Sequence, residues 1–159
     1  MAPRRYWLMK SEPSVFSIQD LARARDRTTF WDGVRNYQAR NLMRDQMQVG
    51  DGVLFYHSSA DPPAVAGTAT VARPPSPDPS QFDARSDYHD PASTPDAPRW
   101  YGVHIVLDRI FDRPIPLDEL RAVPALSAMV LLQRSRLSVQ PVTPEEWRAI
   151  MKLGGGKEK

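Results

Sequence analysis

The sequence predicts an α+β domain, a mostly antiparallel, barrel-like sheet flanked by short helices. Three observations carry this. Strand-like runs do not alternate regularly with helical ones, so a parallel α/β sheet is not expected. Two of them, Val53–Ser58 and Val65–Ala72, follow one another across a short proline loop, as in a hairpin with a long connection. Helix starts are marked by capping residues at Ser17 and Thr143.

The elements follow in order. Arg5 to Lys10 reads as a strand, ended by Ser11-Glu12-Pro13 because proline cannot donate to a ladder. Ser17 with Asp20 three residues on opens a short helix through Ala24. Asp26 to Trp31 reads as a polar loop. A helix is expected from Asn36 to about Gln46, with Ala39, Leu42, Met43 and Met47 inward at helical spacing and Arg40, Asn41 and Arg44 outward. After the hairpin, residues 73–99 hold seven of the chain's 16 prolines and exclude a regular helix or a central strand. A connection of that length is either a flexible excursion or a functional loop, and Phe82 and Tyr88 require part of it to pack down. Trp100 to Phe111 reads as one long strand, Pro116 to Ala122 as a short helix, and Leu137 to Val139 as a final short strand. Thr143, Pro144 and Glu146 open a last helix that turns Trp147, Ile150 and Met151 to one side. Residues 154–159 read as a frayed tail.

A chain of 159 residues with 41% hydrophobic and 25% charged residues is read as one soluble domain. It shows no membrane-length apolar run and no signal-peptide core at its start, and it has no cysteine, which excludes disulfides and thiolate chemistry. A cytoplasmic monomer is expected. The net charge is only +2, too low for a protein that coats duplex DNA. Charge is concentrated locally instead: Arg23, Arg25, Arg27, Arg35, Arg40 and Arg44 fall within 22 residues.

That basic stretch contains the run from Trp31 to Asn41. Trp31 and Tyr37 supply two π faces, Arg35 and Arg40 two guanidinium groups, and Asn36, Gln38 and Asn41 three amides. Such a set suits a pocket that stacks a planar polar ring and reads its edge, as with an extruded nucleobase. The competing assignment makes Trp31 a core anchor and the polar residues a solvated helix face. Other chemistries find little support. The three histidines, His57, His89 and His104, are far apart and lack metal-site spacing. His104 is expected to be a satisfied sheet residue, while His57, at a strand end after Tyr56, is a candidate planar wall. There is no phosphate-cradling glycine motif and no nucleophile elbow. Lys10, Ser11 and Glu12 form only a weak catalytic signal.

Five blocks of sequence resemble the EVE domain family in the same order. They are Tyr6 to Pro13, Trp31 to Asn41, Val53 to Ser58, Pro98 to Tyr101 and Arg136 to Val142, together spanning about residues 5–153. The resemblance implies a PUA-like pseudo-barrel. It also implies a non-enzymatic role, without cofactor or metal, in binding a methylated or hydroxymethylated base of DNA or RNA. Eukaryotic relatives are linked to modified cytosines, and the related YTH domain holds a methylated adenine in an aromatic cage. By that analogy Trp31 is one wall, with Tyr56 or Trp100 as a second. Asn36 reads a polar edge, with main-chain groups near Ser11 and Asp32, and Lys10 and Ser11 form the floor. Arg35, Arg40 and His57 engage phosphate or the rim, and Tyr37 and Ser58 complete the set. Trp31→Ala is expected to abolish binding without unfolding the domain. Competing functions are an RNA-binding module for tRNA or rRNA, an enzyme acting on a base or small metabolite in the same pocket, and an adaptor that presents the proline-rich loop.

Overall fold

The computed structural model describes residues 3–133 and 136–154. Eight strands and five α-helices appear among them: β1 (Tyr6–Ser11), α1 (Ile18–Arg23), β2 (Thr28–Phe30), α2 (Tyr37–Asp45), β3 (Gly52–His57), β4 (Ala64–Val71), β5 (Ser76–Pro77), β6 (Tyr101–Gly102), β7 (His104–Pro116), α3 (Leu117–Arg121), α4 (Val130–Gln133), β8 (Val139–Val142) and α5 (Pro144–Leu153). Six strands form one sheet in the order β2-β7-β4-β3-β1-β8, which curls into a PUA-like half-barrel. Every pairing in it is antiparallel except β1 with β3. β5 and β6 form a separate two-stranded ribbon. No helix among the described residues is long and apolar enough to cross a membrane.

Strand parity divides the core in two, because successive side chains point to opposite faces. Trp7 and Met9 of β1 join Val53 and Phe55 of β3 on one face, where Ile18, Leu21, Trp31, Ala39 and Met43 close over them. Leu8, Leu54 and Tyr56 face the other side, against Trp147, Ile150 and Met151 of α5. Burying both faces explains why β3 is apolar along its length rather than alternating.

The two caps read from sequence form, and Asn36 adds a third that was not read. Ser17 and Asp20 make a reciprocal capping box at α1, and Thr143 and Glu146 make another at α5. Asn36 caps α2 by accepting from the Ala39 amide at 3.0 Å.

Three expectations are corrected. Asp26 to Trp31 is not all loop, since Thr28–Phe30 pairs with His104–Val106 as the edge strand β2. The β-branched and aromatic residues there favour a strand, and only the distant partner makes it one. The expected strand from Trp100 is interrupted at Val103, whose carbonyl accepts the Trp31 amide at 2.7 Å in continuation of the β2–β7 register, and β7 then runs from His104 to Pro116. The last strand is Val139–Val142 rather than Leu137–Val139. Its Pro141 is tolerated because β8 is an edge. His104 also differs from expectation: it meets Phe30 edge-on at 5.0 Å, but its buried Nδ1 has no hydrogen-bond partner. Of the expected tail only Gly154, which caps α5, lies within the described residues.

The proline-rich segment carries no long element, but it is tied down. Asp78 caps a single 3₁₀ turn, Pro79–Phe82. The buried Gln81 side chain donates to the Asp78 and Trp100 carbonyls and accepts from the Arg99 and Trp100 amides. One fully buried amide thus satisfies four main-chain groups that would otherwise be costly to desolvate.

Candidate nucleobase-binding cleft

The end of β1, the segment from β2 into the run before α2, and the proline-rich loop together border a cleft of about 650 Å³. That lies within the usual ~300–1,000 Å³ of small-ligand sites. Six of the residues singled out from sequence line it: Lys10, Ser11, Trp31, Asp32, Arg35 and Ser58.

Trp31 is both core and wall. It is 8% exposed, packs edge-on to Phe55 at 5.5 Å, and still borders the cleft. Its backbone is fixed from both sides, with its amide on Val103 and its carbonyl so close to Gly102 that a Cβ there would lie 2.1 Å away. The two assignments of Trp31 open at the sequence level are therefore compatible. Trp31→Ala is expected to cost ~3–5 kcal/mol by emptying this site, so its effect on binding is read together with a check of folding.

Ser11 donates its hydroxyl to the Phe16 carbonyl, and its own carbonyl accepts the Ser58 amide at 2.9 Å, which joins the ends of β1 and β3 at the floor. The Lys10 ammonium lies 6.0 Å from the Tyr56 ring, and its burial lowers its pKa. Loss of solvent around the Asp32 carboxyl, followed by the charge of Asp78, raises its pKa.

Arg35 is committed to structure. Its guanidinium pairs with the Asp78 carboxylate at 3.1 Å and donates to the Ser80 hydroxyl and the Tyr88 carbonyl. The same Asp78 carboxylate accepts the Gly33 amide at 2.8 Å. Asp78 is fully buried, so this pair ties the proline-rich loop to the run 31–41.

The other six singled-out residues stand outside the lining. Asn36 spends its carbonyl oxygen on the α2 cap. Tyr37 is half exposed and stacks on Trp100 with centroids 4.8 Å apart. Trp100 is buried, and its indole donates to Asp90 at 2.7 Å. Arg40 lies over Tyr37 and donates to the Arg99 carbonyl. Tyr56 packs in the core on the far face of the sheet, as its parity with Leu54 dictates. His57 accepts the Ile18 amide on Nε2 at 3.0 Å, fastening the start of α1, and burial lowers its pKa.

The cleft residues outside the candidate base-binding set include Glu12, which carried only the weak catalytic signal, and Phe16, Gly33 and Tyr88. Phe16 follows a proline turn and Tyr88 lies in the loop. Tyr88 was read only as a residue that packs the loop down, and nothing in the sequence marked Phe16 or showed which residues either would meet. Among the described residues no group of three or more histidines and carboxylates could hold a metal ion. The site thus offers the accessible margin of a buried tryptophan, short hydroxyls, a carboxyl of raised pKa and a backbone clamp. It is suited to holding a flat polar molecule.

These features define a PUA-like domain with a polar-aromatic cleft. The model of the EVE domain matches residues 5–153, and the chain belongs to that family. It is 41% identical to human thymocyte nuclear protein 1 over 165 residues, covering 93% of this chain and 73% of that protein. The crystal structure of human THYN1 protein in complex with 5-methylcytosine-containing DNA superposes with a TM-score of 0.90 at 40% identity, covering 97% of this chain and 99% of that one. A crystal structure from Pseudomonas putida gives a TM-score of 0.89 at 47% identity, covering 94% and 99%. A YTH domain from Zygosaccharomyces rouxii shares the fold at a TM-score of 0.55 and 14% identity, covering 98% and 87%.

Proposed function

We propose that this protein is a non-enzymatic nucleic-acid-binding module that holds one modified base, a methylated or hydroxymethylated cytosine, in the cleft. The observation that carries it is Trp31, a tryptophan fixed in the core by its backbone and edge yet bordering a cleft of base-accommodating size. The human relative in complex with 5-methylcytosine-containing DNA supports the ligand class, and DNA ahead of RNA.

The energetics are consistent. Taking a base from its stack costs a few kcal/mol. Stacking on an aromatic wall returns ~1–3 kcal/mol. Hydrogen bonds from Ser11, Ser58, Asp32 and nearby main-chain groups supply the remainder. A carboxylate accepts from an exocyclic amine, which cytosine has and thymine lacks, so Asp32 favours a cytosine-type edge. A methyl or hydroxymethyl group then fills apolar space left empty by the plain base, worth ~1–3 kcal/mol. The net charge of +2 favours a short footprint centred on the extruded base.

The test uses an 11-nucleotide single strand with one central 5-methylcytosine, titrated by fluorescence anisotropy. Trp31→Phe keeps a stacking face and is expected to bind within about tenfold of the parent. Trp31→Leu, kept only if its circular dichroism shows a folded chain, is expected to lose about a hundredfold or more. Equal affinity of a folded Trp31→Leu variant contradicts the assignment.

A further inference from the structure

Tyr88 comes from the proline-rich loop yet borders the same cleft as Trp31. Its ring lies against the Cα of Gly33. A Cβ built on Gly33 would fall 2.7 Å from Cε2 and Cζ and 2.9 Å from Cε1. Three ring atoms at nearly equal distance mean that Tyr88 turns a face, not an edge, to the backbone. Gly33 is required twice over, since its φ of +78° is left-handed and the ring leaves no room for a side chain.

The main chain of Tyr88 is held by Arg35. The Tyr88 carbonyl accepts from Nη2 and Nε of Arg35 at 2.6 and 3.1 Å. The Arg35 guanidinium carbon lies 5.6 Å from the Tyr88 ring centroid and 5.2 Å from that of Trp100. Trp100 stacks on Tyr37, and Arg40 lies 4.7 Å from the Tyr37 centroid. Arg40, Tyr37, Trp100, Arg35 and Tyr88 therefore form one continuous column from the outer side of α2 to the cleft. Asp78 anchors Arg35 and Asp90 anchors Trp100. Despite this, Tyr88 stays 38% exposed. The residue is therefore fixed through its main chain while its side chain stays partly open beside the cleft. Held and open, it fits a stacking surface.

We propose that Tyr88 is the second aromatic wall of the base site, so that the docked proline-rich loop is part of the binding surface. The proposal rests on the base-binding function above. It assigns to loop docking a direct part in affinity: the wall exists only while Asp78 holds Arg35 and the Gly33 amide.

The experiment titrates the 5-methylcytosine 11-mer against the parent chain, Tyr88→Phe, Tyr88→Leu and Gly33→Ala. Hydrogen exchange of the Gly33 amide, which donates to Asp78, reports loop docking separately. Tyr88→Phe is expected to bind within a few fold of the parent. Tyr88→Leu is expected to bind about ten- to a hundredfold more weakly while the Gly33 amide stays protected. Gly33→Ala is expected to weaken binding by a similar factor, because the new Cβ displaces the ring. Parent-like affinity in Tyr88→Leu overturns the proposal, leaving Tyr88 as packing. So does a loss that only tracks lost Gly33 protection, which would make Tyr88 a loop anchor. If the parent binds no modified strand, the base-binding function fails and the second wall with it.

Discussion

Asp32 and His57 show at single residues how site and scaffold divide the work, and they do so with opposite pH signatures. Asp32 has a raised pKa, from loss of solvent first and the Asp78 charge second. The folded chain then holds that proton longer than the unfolded one, so stability falls as pH rises above the ordinary carboxylate value of 3.8. Because Asp32 is exposed, solvent screening keeps the effect small: Asp32→Asn is expected to raise the melting temperature at pH 7 slightly, with the gain vanishing below about pH 4. A gain that persists at pH 3 would contradict this origin. The His57 pKa is lowered by burial, and its Nε2 must be unprotonated to accept the Ile18 amide. Here the unfolded chain binds the proton more readily, so stability is complete above the ordinary value of 6.5 and is lost as pH falls through and below it. His104 contributes in the same direction. His57→Gln is expected to flatten the melting-temperature profile between pH 7 and 5, and an unchanged profile would assign the loss to His104. Sequence made His57 conspicuous but could not reveal its role. A histidine beside two aromatics at a strand end looks like a pocket rim, whereas the Ile18 amide that it serves is set by the tertiary fold.

At the scale of elements, local rules were readable and distant ones were not. The caps at Ser17 and Thr143 need only a few consecutive residues, and α1, α2 and α5 start within a residue or so of their expected places, although the capping role of Asn36 was not read. Thr143→Ala is expected to destabilise the fold by ~1 kcal/mol through loss of the α5 capping box, measured by urea denaturation. β2 was missed because Thr28–Phe30 becomes a strand only through His104–Val106. The docking of the proline-rich loop was equally hidden. The prolines declared the absence of regular structure, but the contacts that order it join Arg35 and Gly33 to Asp78 far along the chain. Asp78→Ala leaves the partly exposed Arg35 and the Gly33 amide without that partner. It is expected to cost ~2–4 kcal/mol and to raise hydrogen exchange selectively across residues 76–100. Uniform acceleration through the whole sheet would show instead that the loop and core open as one unit.

Over the whole molecule, the sheet supplies rigidity and the cleft lies where β1, the run before α2 and the loop meet. The α+β class and the sense of most strand pairings followed from order and turn chemistry. The parallel pairing of β1 with β3 did not, because α2 between them carries no signal of its own about strand direction. Half of the sequence-derived residue set lines the cleft, and the rest serves as caps, core or the aromatic column behind it. Composition concentrated candidate residues in one stretch, but strand parity and cap geometry decide which of them border the cleft. A short footprint on a nearly neutral protein predicts a shallow salt dependence, with log affinity falling against log salt at a slope no steeper than about −3. A much steeper slope would mean an extended phosphate contact surface. The central claim is that the cleft recognises a base by its modification. The direct measurement compares matched 11-nucleotide DNA strands bearing cytosine, 5-methylcytosine or 5-hydroxymethylcytosine at one position, with an RNA strand of the same sequence, in one equilibrium titration. Saturable binding is expected to be about tenfold or more tighter for a modified DNA strand than for its unmodified counterpart. Equal affinity across all the strands would contradict it.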